Sequence, residues 1–354
     1  MGAYEVQGIV YVDGVGGDDA NDGLSWGTAK KTIGAGIAAA GDGWFVFVAD
    51  GTYTGAGNKA LRFAGKKIYL MGVDHNNPGQ RPVMDCERSG RAFIFESGET
   101  QNCVIENFAI QNGSAGDGGA IYCSDSSPTL NNCILWGNSA SGAGSEIYVR
   151  GWGSTVTLNY CCVDNTGYGH DPFGSSIDDT NNCIFVDPLF VDPGNGNYYL
   201  QNTSPCIDKG NNTYISGVDK DLDGNPRIVD GNGDTTTVVD IGAYERQTQT
   251  WYVDGVGGSD SNGGTDWNDA FATIGKALSE AGGGDTIFVA DATYNETDLN
   301  FNGKNIHLQG VDYHSGGLTQ PVIDCGNSGR AFYFGSGETE DCVVDNFTIK
   351  KWER

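Results

Sequence analysis

The feature that most constrains this chain is that it repeats itself. YVDGVGGDDANDGLSWGTAKKTIGAGIAAAGDGWFVFVADGTY at 11–53 returns as YVDGVGGSDSNGGTDWNDAFATIGKALSEAGGGDTIFVADATY at 252–294 without a gap, a shift of 241 residues. GKKIYLMGVD at 65–74 returns as GKNIHLQGVD at 303–312, and SGRAFIFESGETQNCVIENFAI at 89–110 as SGRAFYFGSGETEDCVVDNFTI at 328–349. Similarity at a fixed period means that one folding unit recurs. GAYE at 2–5 and 242–245 stands just ahead of each YVDGVGG. The expected organisation is the tail of a preceding unit at 1–10, a complete unit at 11–247 and a partial second unit at 251–354, a window from a longer tandem array.

Within each unit the pattern is short strands and tight corners. A strand-like YVDG leads through a polar loop to a short segment in which Ile33 and Ile37, or Phe271, Ile274 and Leu278, follow helical spacing. The β-rich runs at 44–49 and 286–290 come next. From residue 90 the runs carry an Asn/Cys signature: NCVIENFAIQN at 102–112, NCILWGN at 132–138, YCCVDN at 160–165 and NCIFVD at 182–187 begin 30, 28 and 22 residues apart. That is about one circuit of a parallel β-helix. Such a solenoid stacks small or apolar side chains inside, and uses Gly and Asn at left-handed corners where successive Asn can hydrogen-bond along the stack. The 56 glycines, without a collagen period, fit that corner chemistry. The predicted class is all-β, a parallel β-helix with a short N-terminal capping helix, followed by a truncated second copy.

GGAIYCSDSSPTLNNCILWGNSASGAGSEIYVRGWGSTVTLNYCCVD at 118–164 resembles the repeats of right-handed parallel β-helix surface proteins of environmental bacteria. DPLFVDPGNGNYYLQNTSPCIDKGNN, DLDGNPRI and VVDIGAYE, spread over 187–245, are similar to the closing domain called choice-of-anchor Q. The resemblance implies a right-handed solenoid, a closing segment at about 187–247, and an extracellular or cell-surface setting. It specifies fold more than activity. In such proteins GAYE lies near the chain's end, whereas here another unit follows.

With 20 basic and 46 acidic side chains, the net charge of −26 repels phosphate backbones and anionic head groups. Nucleic acid is thereby excluded as a partner. No apolar run approaches the roughly 20 residues of a membrane span, so membrane insertion is not expected. The sharpest chemical motif is DKDLDGNPRIVD at 219–230. Asp219, Asp221 and Asp223 take positions 1, 3 and 5 of a calcium loop, Gly224 takes the turn position, and Asp230 stands where a bidentate Glu normally closes the site. The candidate Ca²⁺ ligands are Asp219, Asp221, Asp223, Asn225 and Asp230; a purely structural turn is the rival reading. A second acidic loop, Asp13, Asp18, Asp19, Asn21 and Asp22, echoed by Asp254, Asp260 and Asn262, reads first as a set of Asx turns. The ten cysteines contain no CxxC pair. Cys103, Cys133, Cys161 or Cys162, and Cys183 read as a stacked buried column; disulfides, with Cys86–Cys103 and Cys325–Cys342 the first pairs to examine, are the alternative.

For catalysis, parallel β-helices include polysaccharide lyases and hydrolases, but fold does not carry function. The four histidines form no GHG motif, and adjacent Asp178 and Asp179 would point to opposite faces of a strand. Arg91 and Arg330, with Glu99 and Glu338, recur in both copies and read as structural corner groups. Arg227 near Asp240 and Glu245 reads as a structural ion pair. Aromatic residues in the long-loop region offer stacking faces for sugar: Trp136, Trp152 and Tyr168 are the candidate carbohydrate-binding residues, with Tyr198 and Tyr199 nearby. The leading expectation is a non-enzymatic extracellular structural or adhesive module whose partners are other copies of itself, neighbouring repeat units or polysaccharide. The alternative is a calcium-dependent lyase or hydrolase acting on a uronate polymer.

Overall fold

The computed structural model describes residues 8–73, 75, 82–193, 197–215, 226, 228–234, 236–242, 245–314, 316 and 319–352. It divides into two compact units, residues 1–228 with 238–245 and residues 229–237 with 246–354. Both are built almost wholly of strands in parallel sheets. The two α-helices among the described residues, Ile33–Ala39 and Ile274–Glu280, hold equivalent places in the two units. Neither is long and apolar enough to cross a membrane.

In the first unit the chain visits three sheets in turn. The largest, all parallel, orders Ile9–Val12, Phe45–Ala49, Tyr69–Val73, Val104–Glu106, Thr129–Asn131, Thr155–Asn159 and Ser176–Asn181. The second stacks Gly51–Tyr53, Pro82–Asp85, Ala109–Gln111, Ile134–Leu135 and Cys162–Val163, and the third Phe93–Phe95, Ile121–Ser124, Ile147–Arg150 and Tyr168–His170. In-register pairing puts like positions directly above one another. Val10, Val46, Leu70, Ile105, Leu130 and Leu158 form one column, and Phe93, Ile121 and Ile147 another, all fully buried. Each such side chain contributes about 1.5–3 kcal/mol of apolar burial. Because a strand alternates faces, only every second residue is committed to the interior.

The corners explain the Asn and Gly content. Asn107, Asn132 and Asn182 turn the chain at φ of 61°, 48° and 53°, left-handed conformations that Asn tolerates. One residue earlier, Asn159 Nδ2 donates to Asn131 Oδ1 and Asn181 Nδ2 to Asn159 Oδ1, both at 2.9 Å, the expected ladder along the stack. Gly72 is required by close approach: a Cβ there would lie 2.4 Å from the Asn107 carbonyl oxygen, and its equivalent Gly310 2.2 Å from that of Asn346. The two helices begin at Thr32 and Thr273, whose side chains accept from the Ala35 and Lys276 amides. They bury Ile33, Gly36 and Ile37, or Ile274, Ala277 and Leu278. Phe271, which the spacing assigns to the helix, instead precedes it and forms an extended bridge with Val253.

The cysteine column is real but one member is misplaced. Asn132 sits opposite Tyr160 and Cys133 opposite Cys161, with Cys183 following, and each thiol donates to carbonyl oxygens of the circuit beneath. Cys103 does not join them. Thr129 pairs with Val104, a step of 25 residues rather than 30, so Phe108 stands beneath Cys133 and Cys103 lies at the other end of its strand. All ten cysteines are free thiols, Cys86, Cys103, Cys325 and Cys342 included. Burial pushes the Cys86 thiol up to about 12 and the Cys161 thiol well above its ordinary value.

The second unit repeats these pairings with fewer circuits. Its sheets order Thr250–Val253, Thr286–Ala290, His307–Val311 and Val343–Asp345; Thr293–Tyr294, Val322–Asp324 and Thr348–Lys350; and Leu299–Asn300 with Phe332–Tyr333. Its buried Arg246 Nη2 meets Asp285 Oδ1 at 2.6 Å, and Trp251 Nε1 donates to Asp285 Oδ2 at 2.8 Å, so that carboxylate is paired and hydrogen-bonded on both oxygens.

Candidate functional site

Short strands leave the connecting loops free to build surface, and in the first unit two loop sets enclose cavities. The first, about 510 Å³, lies on the outer side of the second sheet. Ala109 and Ile134 supply apolar wall, Trp136, Leu189 and Phe190 border it, and Asp85, Arg88, Gln111, Asn112, Asp187 and Gln201 bring polar side chains. Trp136 follows the Ile134–Leu135 strand and is half-buried, packed against the cluster of Ile134, Cys162, Leu200, Cys206, Ile207 and Ile241. That packing holds the indole in place, as a stacking platform requires. Asp85 accepts from Asn112 Nδ2 at 3.1 Å, Gln111 Nε2 at 3.4 Å and the Glu87 amide at 2.8 Å. Gln201 Nε2 donates to the Phe190 carbonyl at 2.9 Å.

The second cavity, about 670 Å³, shares no lining residue with the first. Lys67, Glu99, Asn102, Asp125, Ser126 and Trp152 surround it. Trp152 is 85 % exposed in the loop after Ile147–Arg150. The structure therefore places the two candidate tryptophans in different cavities. Tyr168 belongs to neither. Its register opposite Ile147 extends the interior column of Phe93, Ile121 and Ile147, it packs half-buried on the core, and burial drives its phenol far above the ordinary range. An inward tyrosine at the end of a stacked column cannot serve a lateral sugar face. Tyr199 is on the surface.

The carboxylates resolve into mostly structural roles. Asp219, Asp221, Asp223 and Asn225 lie outside the described residues, as does Arg227. Asp230 is described, and its Oδ1 accepts from the Gly233 amide at 2.6 Å and the Asp234 amide at 3.1 Å. In the first acidic loop Asp13, Asp18 and Asp22 close Asx turns onto Val15, Ala20 and Leu24, and Asp19 gathers Lys31, Thr32 and the Thr32 hydroxyl. Asp260 repeats the Asp19 role on Ala272 and Thr273. Glu99 and Glu338 clasp corner amides, Gly65 and Ser97 in one unit, Gly303, Gly335 and Ser336 in the other. Those amides pull Glu338 down to about 2. Arg91 does not pair with Glu99 but lies over the Tyr122 ring at 4.9 Å, and Arg330 meets Asp298 at 3.2 Å. In the strand Ser176–Asn181, Asp178 is exposed and Asp179 half-buried, on alternate faces.

Sequence reasoning missed two groupings. One is a buried carboxylate triad in the first unit, where oxygens of Asp208, Asp240 and Glu245 lie within 4.8 Å of one another. Asp240 Oδ1 accepts from the Asp208 amide and Glu245 Oε2 from the Asp240 amide. All three carry further polar interactions. The Asp240–Glu245 half was legible, but Asp208, some thirty residues earlier, was not. The other is the Arg88 corner of the first cavity. Its signal lay in the repeat itself, since Glu87 and Arg88 stand where the second copy has Gly326 and Asn327. No protein-family model matches this chain, and comparison with curated proteins finds no match.

Proposed function

We propose that the chain is a non-enzymatic, extracellular structural and adhesive module, a right-handed parallel β-helix with a choice-of-anchor Q-like closing segment, that binds carbohydrate at the cavity bordered by Trp136. The observation that carries this reading is the cavity itself: an aromatic ring anchored on the core beside amide and carboxylate side chains. That combination suits sugar, because the ring face takes the apolar C–H surface while amides and carboxylates take hydroxyls. The in-register columns beneath supply a rigid platform, and repetition along an array multiplies weak contacts. Other copies, neighbouring repeat units and polysaccharide are the partners this reading names.

One observation favours a second reading. Arg88 shares the cavity with Asp85 and Asp187, and a cation beside carboxylates is what a uronate lyase or hydrolase acting with bound calcium needs. Retention of the full chain on immobilised polysaccharides, with calcium or chelator, tests the first reading. Retention that Trp136→Ala weakens by about tenfold, with no reaction product, is the expected result. Release of unsaturated uronate products, followed by ultraviolet absorbance, would replace adhesion with catalysis. No retention on any polysaccharide would reject binding.

A further inference from the structure

We infer that Arg88 makes the Trp136 cavity selective for a carboxylate-bearing sugar, binding the ligand's carboxylate through its guanidinium while the indole takes the ring. This rests on the carbohydrate reading above and specifies its ligand class.

The first observation is backbone geometry. Glu87 and Arg88 both adopt left-handed φ, 54° and 52°, a conformation that costs a side-chain-bearing residue and is cheap for Gly or Asn. The second unit makes the same turn with Gly326 at 61° and Asn327 at 54°, the residues suited to it. Glu87 has an account: its Oε2 accepts from Lys59 Nζ at 2.8 Å and from the Gly55 amide at 2.9 Å. Arg88 has none of that kind. Its amide donates to the Asn112 carbonyl, but its guanidinium makes no hydrogen bond or ion pair among the described residues, and it borders the cavity.

The second observation is where the charges go. Asp85 would be the obvious partner, yet its oxygens are taken by Asn112, Gln111 and the Glu87 amide. In the second unit its equivalent Asp324 pairs with Lys351 at 2.5 Å, the residue that replaces Asn112. The second copy thus neutralises this carboxylate internally. The first copy hands it to amides and leaves a cation facing the cavity. A planar guanidinium with fixed donors matches a carboxylate bidentately, a geometry neither Lys nor Asn reproduces. Asp187 also borders the cavity, its Oδ1 accepting from the Leu189 amide at 2.8 Å, and it suits ligand hydroxyls rather than the ligand's charge. The overall charge of −26 slows approach of an anion, but at physiological salt it is screened beyond about 8 Å, so the local pairing decides affinity.

The test is titration of the full chain with oligogalacturonate and its carboxyl-reduced, neutral counterpart, in chelator and again in calcium. The expected result is that the uronate form binds at least about tenfold tighter in chelator. Arg88→Asn, which carries the residue the second unit uses at this corner and so keeps the turn, should bring the uronate form to the neutral level. Arg88→Gln should do the same, and Trp136→Ala should weaken both ligands. Equal binding of the two forms, or a preference that survives Arg88→Asn, overturns the role of Arg88 and leaves carbohydrate binding standing. A uronate preference seen only with calcium also overturns it, in favour of a bridging ion. No binding of either form by the unaltered chain, with none to other glycans, removes this inference together with the reading beneath it.

Discussion

The same sequence lives two lives in this molecule. Ile110 in the first unit and Ile349 in the second occupy equivalent strands with equivalent registers, yet Ile110 is 1 % exposed and Ile349 44 %. Val104 and Val343 differ in the same way. Strand and register are set locally, by the chain's own alternation and by the circuit beneath. Burial is set by the circuit above, which in the first unit is Thr129–Asn131 and Ile134–Leu135. A stack of this kind is quasi-one-dimensional, and the worth of a side chain depends on whether it has neighbours on both sides.

The largest expected effect tests that statement with a matched pair. Ile110→Ala should cost about 2–5 kcal/mol, whereas Ile349→Ala should cost less than about 1 kcal/mol. Chemical denaturation with hydrogen exchange to separate the units would measure both, and equal losses would break the comparison. Next comes pH. Glu146, buried in the first unit, has its carboxyl raised from 4.5 to about 7 by burial, against the hydrogen bonds from Asn138. A raised folded value means stability fully present below about pH 4.5 and lost as pH passes through 7, an effect of about 3 kcal/mol. Glu99 and Glu338, lowered in both units, act oppositely, their contribution lost as pH falls below about 4. As pH rises from 5 to 8 the first unit should therefore weaken more than the second, where burial raises the Glu296 carboxyl in the same direction, and Glu146→Gln should flatten the first unit's profile. A profile unchanged by that substitution would remove Glu146 as the cause.

Thiol chemistry offers a smaller contrast. Cys103 is buried while its equivalent Cys342 is half-buried. Native alkylation followed by mass spectrometry should label Cys342 at least about tenfold faster. All ten thiols should react in denaturant without reductant, and fewer would mean disulfides.

What the sequence disclosed follows from the same logic. The strands, the two short helices and the left-handed Asn corners were legible because each is a local preference, and the repeat displayed them twice. The register was less legible: matching the NC pair at 102 to that at 132 gave 30 residues, but the ladder advances by 25, because a loop of variable length can absorb the difference without altering either strand. Of the site, Trp136 and Trp152 could be named from their residue type, while their separation into two cavities depended on which loop follows which sheet. Tyr168 was named from residue type and its place in the long-loop region, and neither discloses its register opposite Ile147, which turns the ring toward the core.

The smallest predicted effect bears on the corner where Glu87 and Arg88 stand in place of Gly326 and Asn327. If Arg88 holds its left-handed corner at a cost, replacing it by the second unit's residue should stabilise the first unit: Arg88→Asn by about 0.5–1 kcal/mol, and Arg88→Gly by a similar or larger amount. The reciprocal Asn327→Arg should destabilise the second unit by about as much, since the backbone there has nearly the same φ, 54° against 52°. Thermal unfolding without carbohydrate measures the backbone alone, so the result does not depend on which sugar binds. A stabilised Arg88→Asn that loses uronate selectivity would show stability given up for a charged group at one corner of one copy. An Arg88→Asn variant no more stable than the parent would mean the corner accepts Arg without cost, and the two copies would then differ in surface chemistry but not in strain.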